Sequence, residues 1–405
     1  MSNARAVERH TIGNDDATGA DEAAMRHDAE ADAAAAELRV RVYDSIDAAA
    51  EPWLALERTA LLTPYQRLGW IKALVEARGL GGRCAIAVIE RGVRPVALFP
   101  FVVRRRLGVR TAEIIGADIG NADWLVMERS FARQLTPDVL RRLFNEIGGI
   151  DMVSLSNQPQ SWLGVANPML AFPHQPSPDH LYLGPLAAEG IEQLSSKRIR
   201  NIQRGRRRLE ESMGPVTLRR ADTPDEIAGI HQTFLEQRAA RFTEMGVKNI
   251  FAEDWFVRFF RHAAEASLGS ERPALRFHAL YAGDKIVATS CGSYAGTHYA
   301  QFINSTASGP AAKYSLMGIL MYDLIAELRE MGVTSIDMGL GDFEYKTDWT
   351  ERQVVYDGVV PLTAAGRVAA PMLLGLRRLK RAIKQNDRLF SLFKRVRGML
   401  RGARG

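Results

Sequence analysis

The chain lacks the features that mark several specialised classes of protein. Cys84 and Cys291 are its only two cysteines among 405 residues, so no disulfide framework is expected and both thiols are predicted to be buried and reduced in a cytoplasmic protein. No apolar run approaches the roughly 20 residues of a membrane-spanning helix, and the polar start predicts no signal peptide. No metal is predicted, because the histidines of the second half show no metal-like pairing: His231, His262, His278 and His298.

Charge is divided unevenly along the chain. Residues 1–37 carry nine acids and three bases, residues 367–405 carry twelve bases and one acid, and the net charge of the whole is +6. The Ala-, Asp- and Glu-rich segment 1–37 has too few large apolar groups to fold and is predicted to be disordered. Segment 366–405 alternates leucines with bases and is predicted to be an amphipathic helical tail, which either docks on the body or binds an anionic membrane surface.

The body contains an internal repeat. Residues 92–97 match 283–288 as a turn glycine, a basic residue and an outgoing Val-Ala, and Ile-Asp-Met at 150–152 recurs at 336–338. The matches occur in the same order at similar offsets, which indicates a duplicated unit. Antiparallel strands with interspersed helices are typical of an α+β (mixed α/β) fold. The predicted division is therefore a tail at 1–37, domains at 38–185 and 186–365, and a tail at 366–405.

Two motifs of the second half carry a family resemblance. Residues 195–202 open a basic helix, and Asp-Met-Gly-Leu-Gly at 337–341 is followed by Tyr345, Lys346 and Trp349. This arrangement resembles the GNAT acyltransferase superfamily, and most of all its cellulose-biosynthesis (CelD/BcsL-type) acetyltransferase-like branch, which is related to the FemAB peptidoglycan peptidyltransferases. The resemblance implies two tandem GNAT-like domains with mixed, mostly antiparallel sheets flanked by helices, the first a scaffold and the second catalytic.

The resemblance also implies a donor site. Acetyl-CoA or another acyl-CoA would lie between strands 298–304 and 335–339, which splay in GNAT folds, with its pyrophosphate at the start of the next helix. The residues suited to phosphate contact there are Gly309, Lys313, Ser315 and Gly318. The usual Arg/Gln-x-x-Gly-x-Gly/Ala motif is absent, so aminoacyl-tRNA, the donor of the related peptidyltransferases, stays open as an alternative.

Acyl transfer needs a base to take the acceptor's proton, hydrogen-bond donors to stabilise the tetrahedral oxyanion, and an acid to protonate the leaving thiolate. We expect Asp337 or Asp342 to act as the base, Tyr345 as the acid or oxyanion donor, and Lys346 as a clamp on the acceptor. The structural alternatives are a turn-capping role for Asp337 and lid packing for Tyr345 and Trp349. The predicted substrate-binding residues are Lys197, Arg200, Arg241, Gly339, Gly341 and Trp349.

The helix at residues 197–208 has seven bases, which form a cationic ridge opposite its apolar side. This ridge is either solvated or contacts an anionic acceptor, a lipid-linked sugar phosphate or tRNA.

The function predicted first is transfer of an acyl group from acyl-CoA to an amine or hydroxyl of a small-molecule, saccharide or lipid-linked acceptor. The expected setting is exopolysaccharide or cell-envelope synthesis, in the cytoplasm or at the cytoplasmic face of the membrane. Two alternatives stay open: a FemAB-like aminoacyl transferase that uses charged tRNA, and a non-catalytic scaffold that binds an anionic polymer or a membrane synthase.

Overall fold

A computed structural model describes residues 38–186, 194–244 and 249–386. The predicted disordered segment 1–37 and the last part of the predicted tail, 387–405, lie outside these residues. The strands are β1 Leu38–Tyr43, β2 Ala60–Leu61, β3 Cys84–Arg91, β4 Arg94–Arg106, β5 Val109–Ile114, β6 Val126–Glu128, β7 Met152–Pro159, β8 Ser161–Trp162, β9 Val165–Ala166, β10 His174–Pro185, β11 Val216–Arg220, β12 Arg276–Ala282, β13 Lys285–Ala295, β14 His298–Thr306, β15 Ser335–Leu340 and β16 Glu351–Pro361. The helices are α1 Ala50–Glu57, α2 Leu68–Arg78, α3 Arg129–Gln134, α4 Pro137–Ile147, α5 Ser196–Met213, α6 Pro224–Glu244, α7 Asp254–Glu265, α8 Leu316–Glu330 and α9 Ala364–Lys384.

One mixed sheet runs through both halves of the described chain. Its main path has the order β1-β3-β4-β5-β7-β16-β10-β15-β14-β13-β12-β11, and β2 and β6 pair beside β4. Only two of the pairs along this path are parallel, β5 with β7 and β14 with β15. This order is symmetric about its centre. The strands β1, β3, β4, β5, β7 and β16 correspond, counted inward from one edge, to β11, β12, β13, β14, β15 and β10 counted inward from the other. The sheet is thus built from two copies of one unit.

The two sequence echoes fall at equivalent places in these copies. Residues 92–97 lie in the turn and outgoing strand of the β3–β4 hairpin, and residues 283–288 lie in those of the β12–β13 hairpin. The Ile-Asp-Met repeats lead into β7 and run along β15, the strand that pairs in parallel in each half. Two tandem GNAT-like domains with mixed, mostly antiparallel strands flanked by helices are therefore confirmed as the fold class.

The last strand of each copy crosses to the other copy. β10 pairs with β15 on one side and with β16 on the other, while β16 also pairs with β7 of the first half. The boundary predicted between residues 185 and 186 follows β10 directly. The halves therefore share backbone hydrogen bonds across this boundary.

The core also joins the halves. Trp70 of α2 meets Phe259 of α7 edge to face, with ring centroids 4.8 Å apart, and both side chains are fully buried. They belong to one apolar cluster that extends from Trp53 in the first half to Phe277 in the second. Such aromatic pairs contribute about 1 kcal/mol beyond their buried area, so this contact favours a fixed relation between α2 and α7.

Helix α5 has the two faces that its sequence predicts. Its N-cap Ser195 accepts a hydrogen bond from the Arg198 amide at 3.2 Å, and Ile202 and Leu209 are buried. The predicted ridge is exposed, with its bases at Lys197, Arg200, Arg204, Arg207 and Arg208. Both cysteines are buried free thiols, as predicted. Among the described helices, none is long and apolar enough to cross a bilayer.

Candidate active site

Strands β14 and β15 separate shortly after they begin. They pair in parallel at only three positions, from His298 with Ser335 to Ala300 with Asp337. β14 then continues to Thr306 and β15 to Leu340 without pairing to each other. The wedge that opens between them is the place where the resemblance implies a donor, because exposed strand edges offer unused N–H and C=O groups.

A cavity of about 290 Å³, here called cavity A, lies beside this wedge. Its walls come from α5, the C-terminal half of α6, the end of β14, the start of α8 and the loop after β15. The lining residues used below are Arg198, Arg238, Arg241, Asn304, Ser315, Gly318, Tyr345 and Trp349.

Three of the side chains that line cavity A are arginines. Arg198 forms an ion pair with Asp348 at 3.0 Å, whereas Arg238 and Arg241 pair with no carboxylate among the described residues. Burial, together with the neighbouring charge of Arg241, lowers the pKa of Arg238 to about 10, so its guanidinium stays charged at neutral pH. The Nε atoms of Arg198 and Arg238 are buried without a hydrogen-bond acceptor in the described structure. Three guanidinium groups around one cavity favour an anionic ligand there, because charged donors form strong hydrogen bonds with anions.

The first turn of α8 adds backbone donors to the same wall. Residues 315–318 line cavity A, and the first N–H groups of a helix have no partner within it. Ser315 precedes the helix in the left-handed region, at φ 56°. Gly318 is needed for close packing, because a Cβ there would lie 2.8 Å from Ser315 Oγ and 3.3 Å from Ile202 Cγ1. The predicted phosphate contacts Ser315 and Gly318 therefore line the cavity, whereas Gly309 and Lys313 do not.

Tyr345 extends from the loop after β15 into cavity A. Its hydroxyl accepts a hydrogen bond from Asn304 Nδ2 at 3.1 Å, which ties the loop to β14 across the wedge. Burial raises the pKa of Tyr345, and the Asn304 hydrogen bond and the charges of Arg238 and Arg241 oppose this rise only in part. The phenol is therefore protonated at neutral pH and can donate a proton. Trp349, only 2% exposed, closes the wall behind it.

Lys346 points away from cavity A. It is 3% exposed, and its Nζ donates to the carbonyls of Gly339, Leu340 and Gly341 at 3.3, 2.8 and 3.1 Å. Burial lowers its pKa to about 8. This geometry makes Lys346 a clamp on the Gly-rich loop, whereas the sequence predicts a clamp on the acceptor.

The glycines shape this loop and do not line cavity A. Gly339 adopts φ +73°, and a Cβ there would lie 2.8 Å from the Asn121 amide nitrogen, so only glycine fits. Asn121 in turn accepts the Leu340 amide at 3.3 Å and donates to the Tyr65 hydroxyl at 2.6 Å. The end of β15 is thus held by a residue from the first half.

Asp337 is completely buried and does not reach cavity A. Its carboxylate is 2.9 Å from His298 Nε2 and accepts the Gly339 amide at 2.9 Å, while His298 Nδ1 lies 2.8 Å from Ser335 Oγ. Trp162 covers the imidazole, with ring centroids 4.7 Å apart. These contacts match the turn-capping alternative for Asp337, because both carboxylate oxygens already have partners.

Asp342 lies on the other side of the loop. It accepts the Tyr182 hydroxyl at 3.0 Å and is 3.2 Å from His180 Nδ1, with Arg352 also close. Burial opposes ionisation, yet these hydrogen bonds and charges prevail and the pKa of Asp342 is lowered. A carboxylate with a lowered pKa is a weak base, and Asp342 does not line cavity A.

Cavity A thus gathers only part of the predicted set. It includes Arg241, Ser315, Gly318, Tyr345 and Trp349, whereas the following residues lie elsewhere: Lys197, Arg200, Gly309, Lys313, Asp337, Gly339, Gly341, Asp342 and Lys346.

Sequence reasoning missed Arg198 and Arg238, although a signal was present. Arg198 precedes the buried Ile202 by four residues, and Arg238 follows the buried Phe234 by four, so each base lies on the apolar stripe of its own helix.

A second and larger cavity, cavity B, is lined by residues of the same two strands, β14 and β15. It measures about 510 Å³ and is lined by residues of both halves. Its apolar wall includes Phe251, Phe302 and Leu340, and its polar residues include Asp357 and Arg377. Phe302 and Ile303 precede Asn304 of cavity A on the same strand. The two cavities therefore flank one stretch of β14.

Comparison with known proteins agrees with this geometry. Residues 196–347 match the family described as "Acetyltransferase (GNAT) domain". The fold resembles the crystal structure of FemX, with a TM-score of 0.56 and 11% identity over 79% of this chain and 97% of that one. It also resembles a conserved protein of unknown function from Bacteroides thetaiotaomicron, with a TM-score of 0.50 and 13% identity over 80% and 100% of the two chains. No curated protein sequence matches significantly.

The class of the protein follows from these findings. Residues 196–347 have the sequence features of a GNAT-type acetyltransferase domain, and the chain as a whole has a fold similar to that of FemX. The likenesses to solved structures establish fold alone. Within the described residues, no group of three or more His, Cys, Asp or Glu side chains could hold a metal ion.

Proposed function

We propose that the protein is an acyltransferase that binds the anionic part of an acyl-CoA in cavity A and transfers the acyl group to an amine or hydroxyl. The observation that carries this proposal is the set of three arginines beside the first turn of α8, two of them without a carboxylate partner among the described residues. A pyrophosphate offers the acceptor oxygens that these donors need.

The chemistry divides among few groups. The acceptor's nitrogen or oxygen attacks the thioester carbonyl and releases its proton to water, the carbon–sulfur bond breaks, and the leaving thiolate takes the Tyr345 proton, which solvent then restores. Tyr345 suits this step because it lines cavity A and its raised pKa keeps it protonated. Asp337 and Asp342 do not act as bases in this mechanism, since neither lines cavity A and both already have hydrogen-bond partners at their carboxylate oxygens.

Cavity B is the proposed acceptor site, because Phe302 and Ile303, which line it, directly precede Asn304 of cavity A on β14. Its mixture of aromatic and charged walls suits an amphipathic acceptor such as a saccharide on a lipid carrier. We further propose that the protein acts in exopolysaccharide or cell-envelope synthesis and belongs to the CelD/BcsL-type branch.

A second candidate uses aminoacyl-tRNA as the donor. The observation that favours it is the exposed ridge of α5, because Arg198 of the same helix lines cavity A. The ridge could then hold a polyanion whose end enters the cavity. Variants that remove ridge bases and variants that remove cavity bases therefore distinguish between the two donors.

Calorimetric titration of the full chain with acetyl-CoA tests the first candidate. Arg238→Gln should weaken binding by about 10- to 100-fold, the usual effect of losing a charged hydrogen-bonding partner, with thermal melting to confirm that the variant folds. The ridge variant Arg204→Gln/Arg207→Gln removes more charge but should leave acetyl-CoA binding within about twofold. The second candidate would be favoured if the unaltered protein binds tRNA in a salt-sensitive manner but does not bind acetyl-CoA, and if the ridge variant loses the tRNA binding. Binding of neither donor would leave only the non-catalytic scaffold.

A further inference from the structure

Helix α9 exposes a row of apolar side chains. Val368, Met372, Leu376 and Leu379 are 69%, 56%, 53% and 58% exposed. At 100° per residue these four lie within about 80° of one another around the helix axis. Single exposed apolar residues are common on soluble proteins, but a continuous row along three helical turns marks an interaction surface.

The opposite face of α9 is docked on the sheet. Ala369, Ala370 and Leu374 are buried there, and a Cβ on Gly366 would lie only 2.0 Å from the Asp151 carbonyl oxygen. The polar ties of this face run from Arg377 to Ser154 Oγ, from Arg381 to the Ser177 carbonyl, and from Lys384 to Asp179. These contacts fix the rotation of the helix, so the apolar row cannot turn inward.

Bases flank the row on both sides. Arg378 lies about 80° beyond one edge of the row and Lys380 about 40° beyond the other; both are exposed, and neither forms an ion pair within the described residues. The sequence that follows α9, residues 387–405, holds six bases and one acid. The bases of α9 thus fall into two sets, one tied to the body and one free beside the apolar row.

We propose that α9 docks in the plane of an anionic lipid surface, with the apolar row in the acyl boundary and the flanking bases at the headgroups. A narrow apolar stripe with cations on either side is the pattern of an interfacial helix. A second copy of the chain suits this face poorly, because a symmetric pair would bring the same bases together. Docking also brings cavity B to the lipid surface, since Lys380 lines it. The lipid docking itself does not rest on the proposed acyl transfer.

Co-sedimentation of the full chain with lipid vesicles tests this surface. Binding should be strong with phosphatidylcholine vesicles containing about one third phosphatidylglycerol, weak with phosphatidylcholine alone, and reduced by salt. Leu376→Gln/Leu379→Gln should weaken partition about tenfold or more. Arg378→Gln/Lys380→Gln should weaken it about 30-fold, because each base near the surface contributes roughly fivefold.

Matched controls carry the same changes elsewhere. Val93→Gln/Val103→Gln replaces two apolar residues that are 95% and 46% exposed, and Arg105→Gln/Arg133→Gln removes two exposed bases. Both controls should bind within about twofold of the unaltered protein. The proposal is overturned if the full chain ignores anionic vesicles, or if the α9 variants bind as tightly as the controls. It is also overturned if sedimentation velocity reveals a dimer that Leu376→Gln/Leu379→Gln abolishes while no vesicle binding occurs.

Discussion

Replacing Lys346 with methionine isolates the energetic effect of one buried charge. Lys346 is 3% exposed, its Nζ contacts three loop carbonyls, and burial lowers its pKa from 10.5 to about 8. Methionine has a similar length and shape but carries no charge and never titrates. The variant therefore serves as a reference in which every other titratable group is retained.

The sign of the effect follows from proton linkage. Between about pH 8 and 10.5 the unfolded lysine binds a proton that the folded lysine has lost, so the free energy of unfolding rises with pH in the unaltered protein. Below about pH 8 both states are protonated and the full cost of the buried ammonium opposes folding. A difference of about 2.5 pKa units corresponds to about 3 kcal/mol.

Urea unfolding from pH 7 to 10.5 measures this effect. The free energy of unfolding of the unaltered protein, minus that of Lys346→Met, should increase by about 3 kcal/mol over this range. Tyrosines with raised pKa values titrate equally in both proteins and cancel in the difference. A difference that stays constant with pH would refute the argument, because it would mean that the three carbonyls compensate fully for the burial of the charge.

The remaining predictions concern backbone fit and a buried acid. Gly339→Ala should lower the free energy of unfolding by about 2–3 kcal/mol, because the new Cβ would combine a positive φ with a 2.8 Å approach to Asn121. Gly341→Ala should lower it by only about 1 kcal/mol, because φ is +96° but the nearest contact of the new Cβ is at 3.4 Å. Equal losses in urea unfolding would contradict this ranking. Burial raises the pKa of Asp123 well above its ordinary value, so its ionisation opposes folding as the pH rises from about 4 through the folded pKa. Thermal melting should therefore show Asp123→Asn gaining stability relative to the unaltered protein from pH 5 to pH 8, and a parallel pH dependence of the two melting temperatures would count against the buried charge.

The parts of the fold that depend on local pattern could be predicted from the sequence. The β3–β4 and β12–β13 hairpins follow from a turn glycine between alternating strands, and α5 follows from apolar residues at helical spacing. The exchange of β10 and β16 between the halves could not be predicted, because strand periodicity gives the side-chain direction but not the partner.

The candidate site shows the same division. Tyr345 was predicted from its motif and the first turn of α8 from the family resemblance, and both line cavity A. Arg198 and Arg238 belong to two successive helices, α5 and α6, and they line one cavity only because both helices pack beside the wedge. Lys346 was predicted to face the acceptor, but its four-carbon stem reaches back to the carbonyls of its own loop.

The sequence by itself determined the class of this protein. Composition and the internal repeat were enough to indicate a duplicated α+β fold, and the family resemblance of the two motifs in the second half implied an acyltransferase, because these signals depend on residue type and short spacing. Only the tertiary structure decided which charges meet at cavity A, which carboxylates are already engaged, and which face of α9 remains exposed. The physical reason is that burial and charge pairing depend on contacts between distant segments, and local periodicity constrains these contacts only weakly.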